Sequence, residues 1–308
     1  MASTKAVKAR IKSVRSTSQI TKAMEVVSAT KMRKAQEFAI RARPYAAASL
    51  ELLENMLTRT SDLPELLKSR DVKKSLLLVI TADKGLAGAF NAHVLKRAHS
   101  WTTEKRKAGT PFLILAVGKK AKEYFERQKI ELQDSFIHFG DYAYLDETLP
   151  VAEEVIQGFL EASWDETEAV YTHFRTTLKQ ETVLKRILPA TADGIRDIVH
   201  SILPERGRFA ISNGEAPAHL DYSYEYQFEP SPKEILDALV PQILRMHIHH
   251  MILESNASEH SARMIAMKSA SDNAKELIGE LTLEFNKSRQ AGITRELTEI
   301  TAGTEALR

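Results

Sequence analysis

The residues best placed to do chemistry lie in Thr81-Ala82-Asp83-Lys84-Gly85-Leu86-Ala87-Gly88-Ala89-Phe90-Asn91, a glycine-bearing turn between an apolar run, SLLLVI, and a helix-like segment. In α/β proteins such a turn often cradles a phosphate at the helix N-terminus. The residue types here do not complete that chemistry. A Walker-type loop places lysine after its glycines and a hydroxyl where magnesium binds, whereas Lys84 precedes Gly85 and Gly88 and no Ser or Thr follows them. A dinucleotide fingerprint needs three glycines, and only two are present. GLAG does match the Gly-x-x-Gly of KH RNA-binding modules, but that motif joins two helices rather than a strand and a helix. A tight strand-to-helix turn with small residues for close packing is the favoured reading.

A second candidate is the histidine group His247, His249, His250 and His260. His247 and His250 share a helix face, yet no Asp, Glu or Cys completes an obvious ligand set, so they are read as seam or solvated side chains and no metal is assigned. Met246, Met264 and Met267 are read the same way. The chain contains no cysteine, which excludes disulfides, thiolate nucleophiles and dithiol redox chemistry. No cofactor is assigned, and no catalytic residue.

Three segments of the chain frame these residues. From Ala2 to Arg43 there is neither Gly nor Pro, and Val7, Ile11 and Val14 step by four and three, as on a helix with a narrow apolar stripe. Ile20, Met24 and Val27 repeat the step after slipping by one residue, so the stripe is expected to wind around the helix. Pro44 should interrupt it, and YAAASLELLENMLTR is expected to carry it on. The middle reads as strands at 75–81, 111–118, 168–176 and 181–190, with helices near 91–107 and 149–162. That alternation predicts an α/β layer with a largely parallel sheet, its last two strands forming an antiparallel edge hairpin. The tyrosine-rich stretch 203–230 reads as loop. Ser231-Pro232-Lys233-Glu234 is a capping box, and the helix it starts meets no breaker but Pro241 before Gly303. Its seam runs from Leu236 through Leu239, Ile243, Met246, His250, Leu253, Ala257, His260, Met264, Met267, Ser271, Ala274, Ile278 and Leu281 to Phe285. The natural mate for that seam is the N-terminal helix, in an antiparallel coiled coil beside a Rossmann-like α/β domain. The second helix is the longer, so its end is expected to project and to need a covering partner. The domains expected are 1–60, 73–202, 203–230 and 231–308.

The net charge of +2 is unevenly spread: residues 1–43 hold eleven Lys or Arg against Glu25 and Glu37. A block of this kind points to an acidic partner. Nucleic acid is the main competing partner class, but Phe38 is the lone Phe, Tyr or Trp of that segment and bases would have little to stack on. No apolar run reaches the roughly 20 residues of a membrane span. A soluble, intracellular chain is expected.

SQITKAMEVVSATKMRKAQ (18–36), ARPYA (42–46), ARMIAMKSASDNAKELI (262–278) and LEFNKSRQAGITRELTEITAG (283–303) resemble the terminal signatures of the gamma subunit of rotary F-type ATP synthases, with DKGLAGAFN at the place of that family's glycine-rich loop. The loop departs from the commoner wording RGLCGG at Lys84, Ala87 and Ala89. The resemblance implies a central rotor shaft, itself non-catalytic, turning within a hexamer of alpha and beta subunits and seated on a c-ring with the epsilon subunit. It implies that Arg289, Gln290 and Thr294 engage a beta-subunit loop. Lys22, Met24 and Arg33 would face the acidic lever arm of beta. Glu296, Leu297 and Ile300 would sit in the hexamer's bearing, and Tyr222, Tyr224 and Tyr226 in a foot toward the c-ring. No nucleic-acid partner is expected, and membrane association only through the complex. Because the motifs begin near Met1, the location expected is the cytoplasmic face of a bacterial inner membrane.

Overall fold

The computed structural model describes residues 4–41, 56, 63–139, 142–191, 229 and 231–306. The continuation of the first helix past Pro44 and the tyrosine-rich foot, with Tyr222, Tyr224 and Tyr226, lie outside the described residues. In chain order the elements are α1 (Thr4–Arg41), a short 3-10 turn (Glu65–Leu67), β1 (Ser75–Ile80), α2 (Phe90–Ala108), β2 (Phe112–Val117), α3 (Lys119–Arg127), β3 (Leu132–Phe136), α4 (Leu145–Leu160), β4 (Glu166–Phe174), β5 (Gln180–Leu188) and α5 (Pro232–Ala306). The chain divides into two compact units, residues 30–262 and the paired termini 1–29 with 263–308.

The larger unit is built on a five-stranded sheet in the order β3-β2-β1-β4-β5. β1 pairs parallel with both β2 and β4, β2 pairs parallel with β3, and β5 closes the edge antiparallel to β4. β1 is buried at all six positions, as a central strand covered on both faces must be. Its side chains alternate between two cores. Leu77 and Val79 pack with Val94, Ala98 and Trp101 of α2 and with Ala121 and Phe125 of α3. Leu76, Leu78 and Ile80 pack with Val151, Val155 and Phe159 of α4 and with Leu236, Val240, Leu244 and Ile248 of α5. The first part of the long C-terminal helix therefore belongs to the α/β core. α3 and β3 gave no clear sequence signal: α3 is only nine residues long, and β3 (Leu-Gln-Asp-Ser-Phe) is a mostly polar edge strand.

α5 starts as its capping box dictates, with the Glu234 backbone N–H donating to Ser231 Oγ at 3.3 Å and the Ser231 hydroxyl donating to Glu234 Oε1 at 2.8 Å. It runs 75 residues, through Pro241 and past Gly303. All fifteen seam positions from Leu236 to Phe285 are buried or half-buried.

In the smaller unit α1 and α5 pair antiparallel. At the crossing of Ser18 and Ser271 each hydroxyl lies 3.5 Å from the other residue's carbonyl oxygen, so two small side chains let the backbones approach closely. The phase slip expected in α1 does not occur. Its covered face continues the first register, Val7, Ile11, Val14, Ser18, Thr21, Glu25 and Ser28, in unbroken steps of four and three. Ser and Thr hold seam positions here because the close backbones leave little room. Ser28 donates to the Met24 carbonyl at 2.7 Å and Thr21 to the Thr17 carbonyl at 3.0 Å, which satisfies both hydroxyls within the helix. Ile20 and Val27, expected in the seam, are instead 58% and 52% exposed.

Candidate functional site

Fourteen residues separate Thr4, the first described residue of α1, from Ser18, and fourteen beyond Ser271 lead to Phe285. Burial on α5 fades there: residues 289–304 are all exposed. The expected free end is thus a helical segment of roughly 24 Å at 1.5 Å per residue. It places Arg289, Gln290, Thr294, Glu296, Leu297 and Ile300 together on the surface. Gln290, Thr294 and Leu297 form one ridge by steps of four and three, and Arg289, Ile293, Glu296 and Ile300 form the next. Ile293, 50% exposed, completes the second ridge and was missed because it lies between the matched motif letters. Thr294 donates its hydroxyl back to the Gln290 carbonyl at 3.0 Å, and Thr298, Thr301 and Thr304 back-bond likewise at 2.8, 2.9 and 2.6 Å. Their methyl groups and acceptor lone pairs remain for a partner. Leu297 is 59% and Ile300 66% exposed, an apolar content that free helix surface does not need.

On α1, Lys22 is exposed and Met24 half-buried. Lys22 donates to the Glu25 carboxylate at 2.9 and 3.0 Å, which neutralises part of the local basic excess. Arg33 is exposed on the stretch of α1 that belongs to the larger unit. The residues that sequence reasoning placed wrongly matter here. Ile20, Val26 and Val27, each more than half exposed, add an apolar stripe to the outer side of α1. The phase slip was its signal: an apolar series out of step with the seam marks a second face.

The glycine-bearing turn resolves differently. The turn is tied to a helix further along the chain, because its residues take the first three backbone N–H groups of α3. Lys119 N donates to Asp83 Oδ1 at 2.7 Å, Lys120 N to the Ala82 carbonyl at 3.1 Å and Ala121 N to Thr81 Oγ1 at 2.9 Å. Asp83 Oδ2 also accepts from His138 N at 2.9 Å, and Asn91 Oδ1 accepts from Ala82 N at 3.0 Å. Asp83 thus caps the N-terminus of α3, the helix that follows β2, and the turn's acceptors satisfy that helix's first donors. Gly118 adopts φ 91°, and a Cβ there would lie 2.2 Å from the Thr81 carbonyl oxygen. In a doubly wound sheet the ligand crevice lies at the carboxyl ends of the strands where the order reverses, here between β1 and β4. α5 covers that place. Ser258 donates to the Thr172 carbonyl at 3.2 Å, Ser261 to the Thr177 carbonyl at 2.7 Å, and Ala262 packs on Ala82, Ala87 and Phe90.

The histidines are core residues. His247, His250 and His260 are buried, and His249 lies 2.8 Å from the Thr148 hydroxyl. Glu254 sits one turn after His250, its carboxylate 3.4 Å from His250 Nε2 and 2.9 Å from Nδ1 of His173 at the end of β4. Burial opposes the Glu254 charge, but the bonds and charges of His173 and His250 outweigh it and hold its pKa well below the usual carboxylate range. Burial, reinforced by the Glu254 charge and hydrogen bond, pushes the Tyr171 hydroxyl well up. Burial lowers His247 to about 3, with help from Lys185 and His250, and lowers His249 to about 4. Among the described residues no group of three His, Asp or Glu side chains is arranged to hold a metal ion. No described helix is long and apolar enough to cross a membrane.

A five-stranded α/β unit and a two-helix coil built from the same terminal helices define the class, an α/β protein with a coiled coil formed by its termini. The comparisons with known proteins narrow it. A family model described as ATP synthase matches residues 3–307. The ATP synthase gamma chain of Geotalea daltonii is 41% identical over 310 residues, with 100% of both chains covered. That of Roseiflexus castenholzii is 39% identical, with 100% of this chain and 99% of the relative covered. Among solved structures, a Euglena gracilis mitochondrial ATP synthase assembly of OSCP, F1 and c-ring contains a chain similar at a TM-score of 0.63 and 19% identity, covering 99% of this chain and 94% of that one. A Tetrahymena thermophila central stalk and c-ring structure gives 0.59 and 23%, covering 82% and 99%. The chain belongs to the ATP synthase gamma chain family.

Proposed function

We propose that this chain is the central rotor shaft of an F-type ATP synthase, a non-catalytic subunit that couples ion-driven rotation of a c-ring to ATP synthesis at an alpha/beta hexamer. The observation that carries the reading is the exposed end of α5, where Arg289, Gln290, Thr294, Glu296, Leu297 and Ile300 share a surface that is neither purely polar nor covered by the chain itself. Such a rod acts by differential contact: as it turns, its unlike faces favour a different conformation of each catalytic site, and the free-energy difference between those contacts is the work transmitted. Arg289, Gln290 and Thr294 grip a beta-subunit loop, with Lys22, Met24 and Arg33 facing an acidic segment of beta. The stretch that carries Tyr222, Tyr224 and Tyr226 is assigned, by the family resemblance, to the contact with the c-ring, with epsilon as a further partner. On this reading the chain works at the cytoplasmic face of a bacterial cell membrane, seated on the c-ring.

The test is co-expression with candidate alpha and beta subunits, followed by co-purification and ATPase assay. A stoichiometric complex is expected. The Arg289→Ala/Gln290→Ala/Thr294→Ala triple variant is expected to leave the isolated chain folded and to lower coupled activity by about tenfold or more, the scale of two or three lost polar contacts. Full coupled activity in the triple variant would sink the proposed grip.

A further inference from the structure

The layer formed by α2 and α3 on one face of the sheet is strongly basic. Residues 90–129 carry ten Lys or Arg against three Glu. Two of the three carboxylates are used locally: Glu104 lies 3.7 Å from Arg97, and Glu123 lies 3.8 Å from Lys119 and 3.1 Å from Lys120, while Glu126 is exposed. Lys105 is drawn inward to Glu166 and Glu168 of β4. Lys96, Arg106, Lys107, Lys122 and Lys129 have no carboxylate partner among the described residues, and all but half-buried Lys122 are exposed. On the opposite face α4 carries Asp146, Glu147, Glu153 and Glu154 and no Lys or Arg of its own. Arg245 of α5 offsets Glu153 on that face, whereas the excess positive charge of the α2/α3 layer is left largely uncompensated.

We infer that the α2/α3 layer is an electrostatic docking face for anionic lipid headgroups. The choice of lipid over an acidic protein rests on what the face lacks. Protein interfaces are organised around a buried apolar or aromatic centre with a charged rim. Within residues 90–129 no large apolar side chain is exposed, so the layer offers rim chemistry with no centre. Lysine also outnumbers arginine seven to three there, which suits diffuse attraction to a charged plane rather than bidentate grip on single carboxylates. This face is separate from the α5 end on which the shaft reading depends, and either can fail without the other.

The experiment is co-sedimentation of the full chain with phosphatidylcholine vesicles containing a minority of phosphatidylglycerol, repeated on the complex with alpha and beta. Binding is expected to the anionic vesicles, not to pure phosphatidylcholine, and to vanish at high salt. Each neutralised lysine should weaken partitioning about fivefold, so Lys96→Gln/Lys107→Gln/Lys122→Gln should weaken it roughly a hundredfold. Circular dichroism and tryptophan fluorescence confirm that this variant is folded. The control Lys8→Gln/Lys12→Gln/Arg15→Gln removes the same charge from α1 and should retain most of the binding. Loss of binding in the α1 control with retention in the α2/α3 variant would overturn the inference, as would no affinity for anionic vesicles. Retention by polyglutamate without vesicle binding would overturn it in favour of an acidic protein partner.

Discussion

Acidification should unfold the α/β unit earlier than its carboxylates alone would allow, and the cause is two histidines on α5. His247 has both ring nitrogens buried without a hydrogen-bond partner among the described residues, and burial lowers its pKa to about 3. His249 is lowered to about 4, again chiefly by burial. Both values lie below the unfolded value of about 6.5, so the unfolded chain binds the proton more readily. Stability from this source is complete above pH 6.5 and drains away as pH falls toward 4 and then 3. At pH 5 each histidine has lost about 1.5 pH units of this linkage, roughly 2 kcal/mol, so the pair costs roughly 4 kcal/mol relative to pH 7.5. The groups facing His247 are Lys185 of β5 and His250, which add to the shift, and Glu254, which opposes it. The pKa of Glu254 is itself lowered, so its loss belongs to a lower window, beneath pH 4.5. Urea unfolding followed by tryptophan fluorescence is the assay, because Trp101 and Trp164 are the only tryptophans and both are buried in this unit. At about 2 kcal/mol per molar urea, the midpoint should fall by about 2 M between pH 7.5 and 5, and by about half that in His247→Leu. A His247→Leu chain with the same pH dependence as the parent would refute the reasoning.

Two further predictions concern the glycine-bearing turn. Gly118→Ala should cost roughly 3 kcal/mol or more in the same urea assay, since it adds a left-handed backbone penalty to a collision with Thr81; an unchanged midpoint would contradict the geometry. Asp83→Ala strips acceptors from Lys119 N and His138 N and should cost about 1 to 2 kcal/mol. Millimolar sulfate should then stabilise the variant more than the parent, because an anion can enter the vacated helix terminus; equal effects on both would show that Asp83 does not hold that place.

The central strands and both long helices were legible because their patterns repeat over many residues. β1 and β2 are continuous apolar runs, and the α5 seam holds its step from Leu236 to Phe285. What the pattern could not convey was what each stretch of that seam faces: the step is the same against a sheet, at Leu236 and Ile243, and against another helix, at Met267 and Leu281. In α1 hydrophobicity pointed to Ile20 and Val27, whereas the close helix pairing selected Ser18, Thr21 and Ser28 for size. At the turn, sequence motifs excluded known phosphate loops but could not show that Asp83 caps α3, a contact across 36 residues to Lys119. The His–Glu group was missed because His173 comes from a strand 81 residues before Glu254.

The share of α5 in the α/β core also bears on biosynthesis. Five strands and three of the helices that flank them are complete once residue 188 has been made, but one sheet face still lacks Leu236, Val240, Leu244 and Ile248. At about 5 to 20 residues per second, the helix up to Ala262 follows some 4 to 15 seconds later. During that interval Leu76, Leu78 and Ile80 are only part covered. A nascent chain of this kind is a natural client for chaperones until its last helix arrives.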